Sequence, residues 1–262
     1  MKYTNPLDFV SLAMGLILGT AALPHILIRY FTVPKPSDAR KSTVIAIVVM
    51  GVFYLLTLYL GLGANFFGTL DPSDANLAAP MLAFHIGGEA FYAIISSIAF
   101  ATILGTVAGL IMASAGAIAH DIYTEVLGKK TDEKRALRIS KITAISVGVV
   151  AIGLGILAKG QNVAFLVGLA FAIAASANLP ALLCTLFWKK TTEMGIVLGI
   201  IVGLVSSIAL IAISPAMMSE GALFSLFNPG IVSIPLGFAV TIGVSLLTQD
   251  RTKAQASETA AG

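Results

Sequence analysis

The amino-acid sequence predicts an all-α fold, a polytopic helical membrane protein with seven transmembrane helices, and three observations carry that expectation. Hydrophobic residues make up 57% of the chain and charged residues only 11%, with a mean hydropathy of +0.95, whereas soluble domains carry roughly 25% charge. Seven intervals contain no Asp, Glu, Lys or Arg, and a helix needs about 20 apolar residues to cross a hydrocarbon core of about 30 Å. Those intervals are apolar all round, without the charged stripe of a helix lying on a water-soluble core.

The elements follow in order. The first helix is expected over 8–30. Its apolar run follows Lys2 and Asp8 and continues into Pro24, His25 and Arg29 rather than a small-residue cleavage site, so it reads as a mature span and not a signal peptide. The second helix is expected over 44–66. The stretch from Phe67 to Glu89 reads as a loop too short to be a domain, with turn chemistry at Asp71-Pro72-Ser73-Asp74. The third helix is expected over 90–119. Between Gly128 and Arg138 both signs of charge occur, which suits a short solvated helix. The remaining helices are expected over 140–158, 163–187, 194–213 and 230–247. Residues 1–250 thus form one transmembrane domain, and 251–262, rich in Ala, Thr, Ser and Gln, read as a disordered cytoplasmic tail.

Charge sets the orientation. Lys35, Arg40 and Lys41, then Lys129, Lys130, Lys134, Arg135 and Arg138, then Lys189 and Lys190, fall in alternate connections, and Arg251 and Lys253 lie in the tail. The other connections hold Asp71, Asp74, Glu89 and Glu220, with Lys2 and Lys159 as their basic residues. Positive charge stays inside, which places the N-terminus outside and the C-terminus in the cytoplasm. The pI near 9.0 is therefore a topology signal and not a nucleic-acid surface. The lone Cys184 cannot form an intrachain disulfide. No catalytic triad, phosphate loop or metal-ligand spacing occurs, so neither an enzyme nor a bound cofactor is expected.

Three spans carry polar constellations. In the first, Gly19, Thr20 and Ala21 precede Pro24 and His25. Proline removes a backbone donor and crowds the preceding turn, so the helix is expected to kink or open near Gly19 to Ala21. That segment either exposes backbone groups to an ion or anionic substrate, as discontinuous transporter helices do, or is a structural kink with a snorkelling histidine. In the third, Thr102 and Thr106 stack one turn apart beside Gly105 and Gly109. Hydroxyls and a helical carbonyl suit a hard cation such as sodium. The same residues also satisfy the Gly-x-x-x-Gly pattern of close helix packing. In the fifth, Asn178 and Pro180 interrupt a run of small residues, and the amide needs partners, most simply as glue between helices. Trp188 beside Lys189 and Lys190 marks the cytoplasmic interface.

The run Gly19-Thr20-Ala21-Ala22-Leu23-Pro24-His25-Ile26-Leu27-Ile28-Arg29-Tyr30-Phe31, with Ala39-Arg40-Lys41-Ser42, resembles the sodium:solute symporter family, in its acetate-permease branch. The resemblance continues through Ala99-Phe100-Ala101-Thr102-Ile103-Leu104, His120-Asp121-Ile122-Tyr123, Arg138-Ile139-Ser140-Lys141-Ile142-Thr143 and the run from Val167 to Ser176, and thins after about residue 200. It implies the fold of two inverted five-helix repeats around a mid-membrane site. Residues 1–190 would be the second repeat and 191–250 peripheral helices. It also implies a small organic anion, acetate or a related short-chain monocarboxylate, held at Gly19, Thr20, Ala21, Pro24 and His25. Sodium, as coupling ion, would be held at Thr102, Gly105 and Thr106. Gly105 departs from the family pattern because it offers no hydroxyl; Thr106 keeps one and Thr102 adds a side-chain oxygen. The resemblance further implies a bacterial inner-membrane location. On that resemblance the first repeat is expected either from a separate chain or to have been lost to truncation, the alternative reading being a non-transporting membrane subunit or truncated fragment, and this chain by itself is not expected to transport.

The loop charges give a direct topological test. Cysteines introduced at Ser73 and Ser219 should react with a membrane-impermeant thiol reagent from the periplasmic side, and one at Thr131 should not. The reverse labelling pattern would invert the assignment.

Overall fold

The computed structural model describes residues 5–27, 30, 32–71, 74–118, 133–218 and 221–259. Among them all regular structure is helical: α1 Pro6–Ala22, α2 Pro24–Leu27, α3 Pro36–Phe66, α4 Ala78–Gly116, α5 Glu133–Leu157, α6 Val163–Phe187, α7 Glu193–Ala212 and α8 Gly230–Thr259. Among the described residues six segments are long and apolar enough to cross a membrane, and α1 is an apolar helix of 17 residues. The expected polytopic helical architecture is what the chain adopts. The stretch 119–132, with His120, Lys129 and Lys130, lies outside the described residues, as do Glu220 and the last three residues of the expected tail.

The chain divides into two compact units, Met1–Val33 with Val163–Gly262, and Pro34–Asn162. The first unit holds α1, α2, α6, α7 and α8. On α1 the buried positions are Asp8, Ser11, Gly15, Gly19 and Ala22, spaced three and four apart and so on one face. Gly15 and Gly19 lack side chains there because α1 lies close to α6. A side chain at Gly15 would press on Ala172, and one at Gly19 would overlap the Phe171 carbonyl.

The same device recurs on α7, where Gly195, Gly199, Gly203, Ser207 and Ile211 form the buried face. A Cβ at Gly195 would strike Ser245, one at Gly199 would strike Thr241, and one at Gly203 would strike the Ser176 carbonyl; Gly237 of α8 lies against that same carbonyl. Pro180 explains why the Ser176 carbonyl is available, because proline brings no N–H to the residue four before it. Around this point hydroxyls knit the helices. Ser176 Oγ donates to the Ala172 carbonyl at 2.7 Å and lies 2.7 Å from Ser233 Oγ. Toward the other end of α8, Thr192 Oγ1 and Thr248 Oγ1 are 2.6 Å apart. In lipid, apolar contact gains little over lipid contact, so close packing and such hydrogen bonds decide which helices associate.

The second unit holds α3, α4 and α5. α3 begins at Pro36, eight residues before the expected start at 44, since Pro suits the first helical turn and Asp38 sits in that turn. The expectation of a loop over 67–89 is corrected: helix occupies 78–87. Asp74 caps the preceding 3-10 turn by accepting from the Asn76 N–H at 3.1 Å, and Ala, Met and Leu that follow are good helix formers. Gly88, at φ +64° and ψ −159°, then breaks α4 in two, a conformation that glycine alone adopts easily. Asn76 Nδ2 also donates to the Gln161 carbonyl at 3.2 Å, so the α3–α4 and α5–α6 connections lie at one end of this unit, as the alternation of loops requires.

A contrast between two glycines tests this packing. Gly203→Val, which forces a side chain onto the Ser176 carbonyl, should destabilise the detergent-solubilised chain by about 1–3 kcal/mol. Gly105→Val, with no heavy atom within 4 Å of its added Cβ among the described residues, should leave the thermal midpoint unchanged or slightly raised. Equal effects would remove the α6–α7–α8 junction from the account.

Candidate functional site

The first spanning segment is interrupted. α1 ends at Ala22, Leu23 is extended at φ −81° and ψ 117°, and α2 starts at Pro24. The break therefore falls at Leu23 and not at Gly19 to Ala21. Its cause is steric: the residue before a proline is pushed from helical to extended backbone. Leu23 then starts the next turn, its carbonyl accepting from Ile26 N–H at 3.1 Å and Leu27 N–H at 3.3 Å. Pro24 brings no N–H to the Thr20 carbonyl. The C-terminal end of α1 thus presents carbonyl oxygens, the negative end of its helix dipole.

Each expected residue here has a definite place. Gly19 is buried beneath Phe171 and holds α1 close to α6. Thr20 and Ala21 are exposed, and Thr20 Oγ1 donates to the Leu16 carbonyl at 2.7 Å. The side chains of Pro24 and His25 lie outside the described residues. Asn178 reaches the break from α6, donating through Nδ2 to the Ala22 carbonyl at 3.1 Å. The amide is glue between helices, and what it fastens is the broken end of α1.

In the second unit, Thr102, Gly105 and Thr106 share the exposed surface of α4. Thr102 Oγ1 donates to the carbonyls of Ile98 at 3.1 Å and Ala99 at 2.8 Å. Thr106 Oγ1 donates to the Thr102 carbonyl at 3.0 Å. A hydroxyl that donates keeps its lone pairs, so both oxygens can still accept a cation. Gly105 and Gly109 have nothing within 4 Å of an added Cβ among the described residues. Their Gly-x-x-x-Gly pattern is thus not used for packing there, while the glycines of α7 are.

A second polar cluster was not singled out from sequence. Asp8 is 2% exposed, and its Oδ1 accepts the Phe227 N–H at 2.6 Å. One turn on, Ser11 Oγ donates to the Asn228 carbonyl at 2.7 Å and accepts from Ile231 N–H at 3.0 Å. Asn228 Nδ2 donates to the Gly168 carbonyl at 3.2 Å, and its Oδ1 accepts the Gly230 N–H at 2.9 Å. This cluster ties together the first turns of α1, α6 and α8. Asp8 looked like a boundary charge because the charge-free interval begins after it; Asn228-Pro229-Gly230 ahead of an apolar run was the available signal.

A helical chain with six membrane-length apolar segments and a proline-interrupted first helix is a polytopic integral membrane protein. It belongs to the sodium:solute symporter family, which matches over residues 1–203. Over 251 residues it is 51% identical to a monocarboxylic acid transporter of Corynebacterium glutamicum, an alignment covering 90% of this chain and 45% of that protein. It is 45% identical over 265 residues to the uncharacterized symporter YwcA of Bacillus subtilis, covering 96% of this chain and 52% of that one. The chain therefore spans about half the length of these relatives. No solved structure matches. The family and its named members are transporters and not enzymes.

The Asn178 contact makes a specific prediction. Asn178→Leu keeps volume but strips the donor from the Ala22 carbonyl, and should lower stability by about 0.6–2 kcal/mol. It should also speed amide exchange at the last turn of α1. Unaltered stability and exchange would show that the break holds itself without α6.

Proposed function

We propose that this chain forms part of a sodium-coupled secondary transporter, a symporter, that carries acetate or a related short-chain monocarboxylate across the bacterial inner membrane. Its N-terminus would lie outside and its C-terminus in the cytoplasm. The observation that supports this most is the helix break at Leu23, set in a chain half identical to a monocarboxylic acid transporter. A break in a span is tolerated where its freed backbone groups meet protein or a water-filled pathway, and transporters use such breaks to hold ions and small anions. Thr20, Ala21, Pro24 and His25 would line the substrate, a ring N–H of His25 meeting the carboxylate, with Gly19 setting the depth of α1 against α6; the carbonyl oxygens that end α1 would favour a cation rather than the anion. Sodium would be held on α4 by the hydroxyls of Thr102 and Thr106 and a carbonyl beside Gly105, a donor set of neutral oxygens that suits a hard monovalent cation.

The remaining length of the relatives would supply the opposing wall of the pathway, from the same or a separate chain. The test is a chimera in which this chain replaces the matching segment of the Corynebacterium transporter. Vesicles containing it should take up acetate under an inward sodium gradient, and Thr106→Ala should raise the sodium concentration for half-maximal uptake by about tenfold, equivalent to about 1.4 kcal/mol. An inserted chimera that takes up nothing would favour a non-transporting membrane subunit. Unchanged sodium dependence in Thr106→Ala would take that hydroxyl out of the ion site.

A further inference from the structure

The first unit carries an open groove of about 480 Å³ on its surface, lined by Leu183, Cys184, Phe187 and Trp188 at the C-terminal end of α6 and by Phe238 and Ile242 of α8. Its walls are apolar along their length and end at Trp188, the chain's sole tryptophan. Lys189 and Lys190 follow immediately and are exposed. The turn that bears them is fixed to both helices of the groove. Thr191 Oγ1 donates to the carbonyls of Cys184 and Trp188, each at 2.8 Å. The Thr192 N–H donates to Ser245 Oγ at 3.2 Å, and Gln249 Nε2 to the Lys190 carbonyl at 3.3 Å. Glu193 is exposed in the first turn of α7, where the positive end of that helix holds it. The turn from Lys189 to Glu193 therefore keeps one net positive charge.

We infer that this groove is a binding site for an anionic phospholipid, with one acyl chain lying between α6 and α8 and the phosphate held by Lys189 and Lys190. The apolar length takes hydrocarbon. The tryptophan takes the headgroup boundary, where its ring is both apolar and a donor. The paired ammonium groups discriminate by charge: a zwitterionic lipid carries its own cation beside the phosphate and gains less from them than an anionic lipid does. The assignment needs only that this end of α6 lies at a membrane surface, whichever face that is.

Trp188 reports on the groove directly. The full chain is placed in phosphatidylcholine vesicles in which part of the lipid is replaced, at equal mole fraction, by acyl-dibrominated phosphatidylglycerol or acyl-dibrominated phosphatidylcholine, and quenching of the tryptophan is measured. The anionic lipid should be preferred about fivefold, the scale of one basic side chain at a membrane surface. The double variant Lys189→Gln, Lys190→Gln should reduce the preference to near unity with the emission maximum unshifted. Ile242→Phe, which fills the groove and keeps both charges, should reduce it as well. Equal quenching by both lipids, or a preference that survives the double variant, would overturn the inference. A preference insensitive to Ile242→Phe would overturn it in favour of general surface charge. Absence of quenching by either lipid would overturn it in favour of a protein segment covering the groove.

Discussion

In a hydrocarbon environment every backbone N–H and C=O must find a partner inside the protein or in a water-filled cavity, and that constraint governs the irregularities at Pro180 and Pro24. Pro180 and Pro24 each take away a donor in an apolar helical segment. Pro180 does so in the middle of α6, and the freed Ser176 carbonyl is covered by the backbones of Gly203 and Gly237. Pro24 does so at the end of α1, and there the helix stops. Asn178 partners the Ala22 carbonyl at the break, while Thr20 and Ala21 are left exposed. One proline is sealed and the other is only fastened. That difference separates a structural irregularity from a candidate functional one.

Sealing depends on small residues. Glycines at Gly15 and Gly19 of α1 and at Gly195, Gly199 and Gly203 of α7 bring backbones close enough for side-chain hydroxyls to bridge helices. Ser11, Ser176, Ser207, Ser233, Thr241 and Ser245 are fully buried, which would be costly without partners. No buried side-chain polar atom among the described residues lacks a hydrogen bond. The aromatic and branched residues cluster separately, with Phe165 and Leu169 of α6 against Ile211 of α7 and Phe227. Much of the polar content of this very apolar chain is thus spent on joining helices. The hydroxyls of α4 at Thr102 and Thr106 bond within their own helix, as those of Ser207 and Thr241 do, but differ in staying exposed.

Much of this was legible in the sequence, for reasons that can be named. α6 matches its expected bounds, and α7 falls within a residue of them, because charges and turn residues flank each apolar run closely. α3 begins earlier than expected because charge-free intervals locate the lipid-crossing part of a helix and miss a solvated first turn at Pro36. Helix at 78–87 was missed since the interval from Lys41 to Asp71 ended the search, and the acidic turn at Asp74 reads equally well as a loop or as a cap. The break was expected a turn too early: sequence reasoning followed the carbonyl that Pro24 crowds, whereas the restriction on the preceding residue decided the position. Asn178 was legible as glue, but its partner was not, because contact across 156 positions leaves no local pattern. The cluster at Asp8, Ser11 and Asn228 was hidden for the same reason.

The interruption at Leu23 is held by α6 without being sealed, which makes it the segment expected to respond to solutes. Hydrogen–deuterium exchange of the chimeric transporter in lipid nanodiscs, with and without sodium and acetate together, addresses it most directly. Amides from Ala21 to Leu27, Pro24 excepted, should exchange faster than those of the preceding turns of α1 and become protected when both solutes are added. Exchange across Leu23 as slow as that across Pro180 in α6, and unaltered by sodium and acetate, would contradict it.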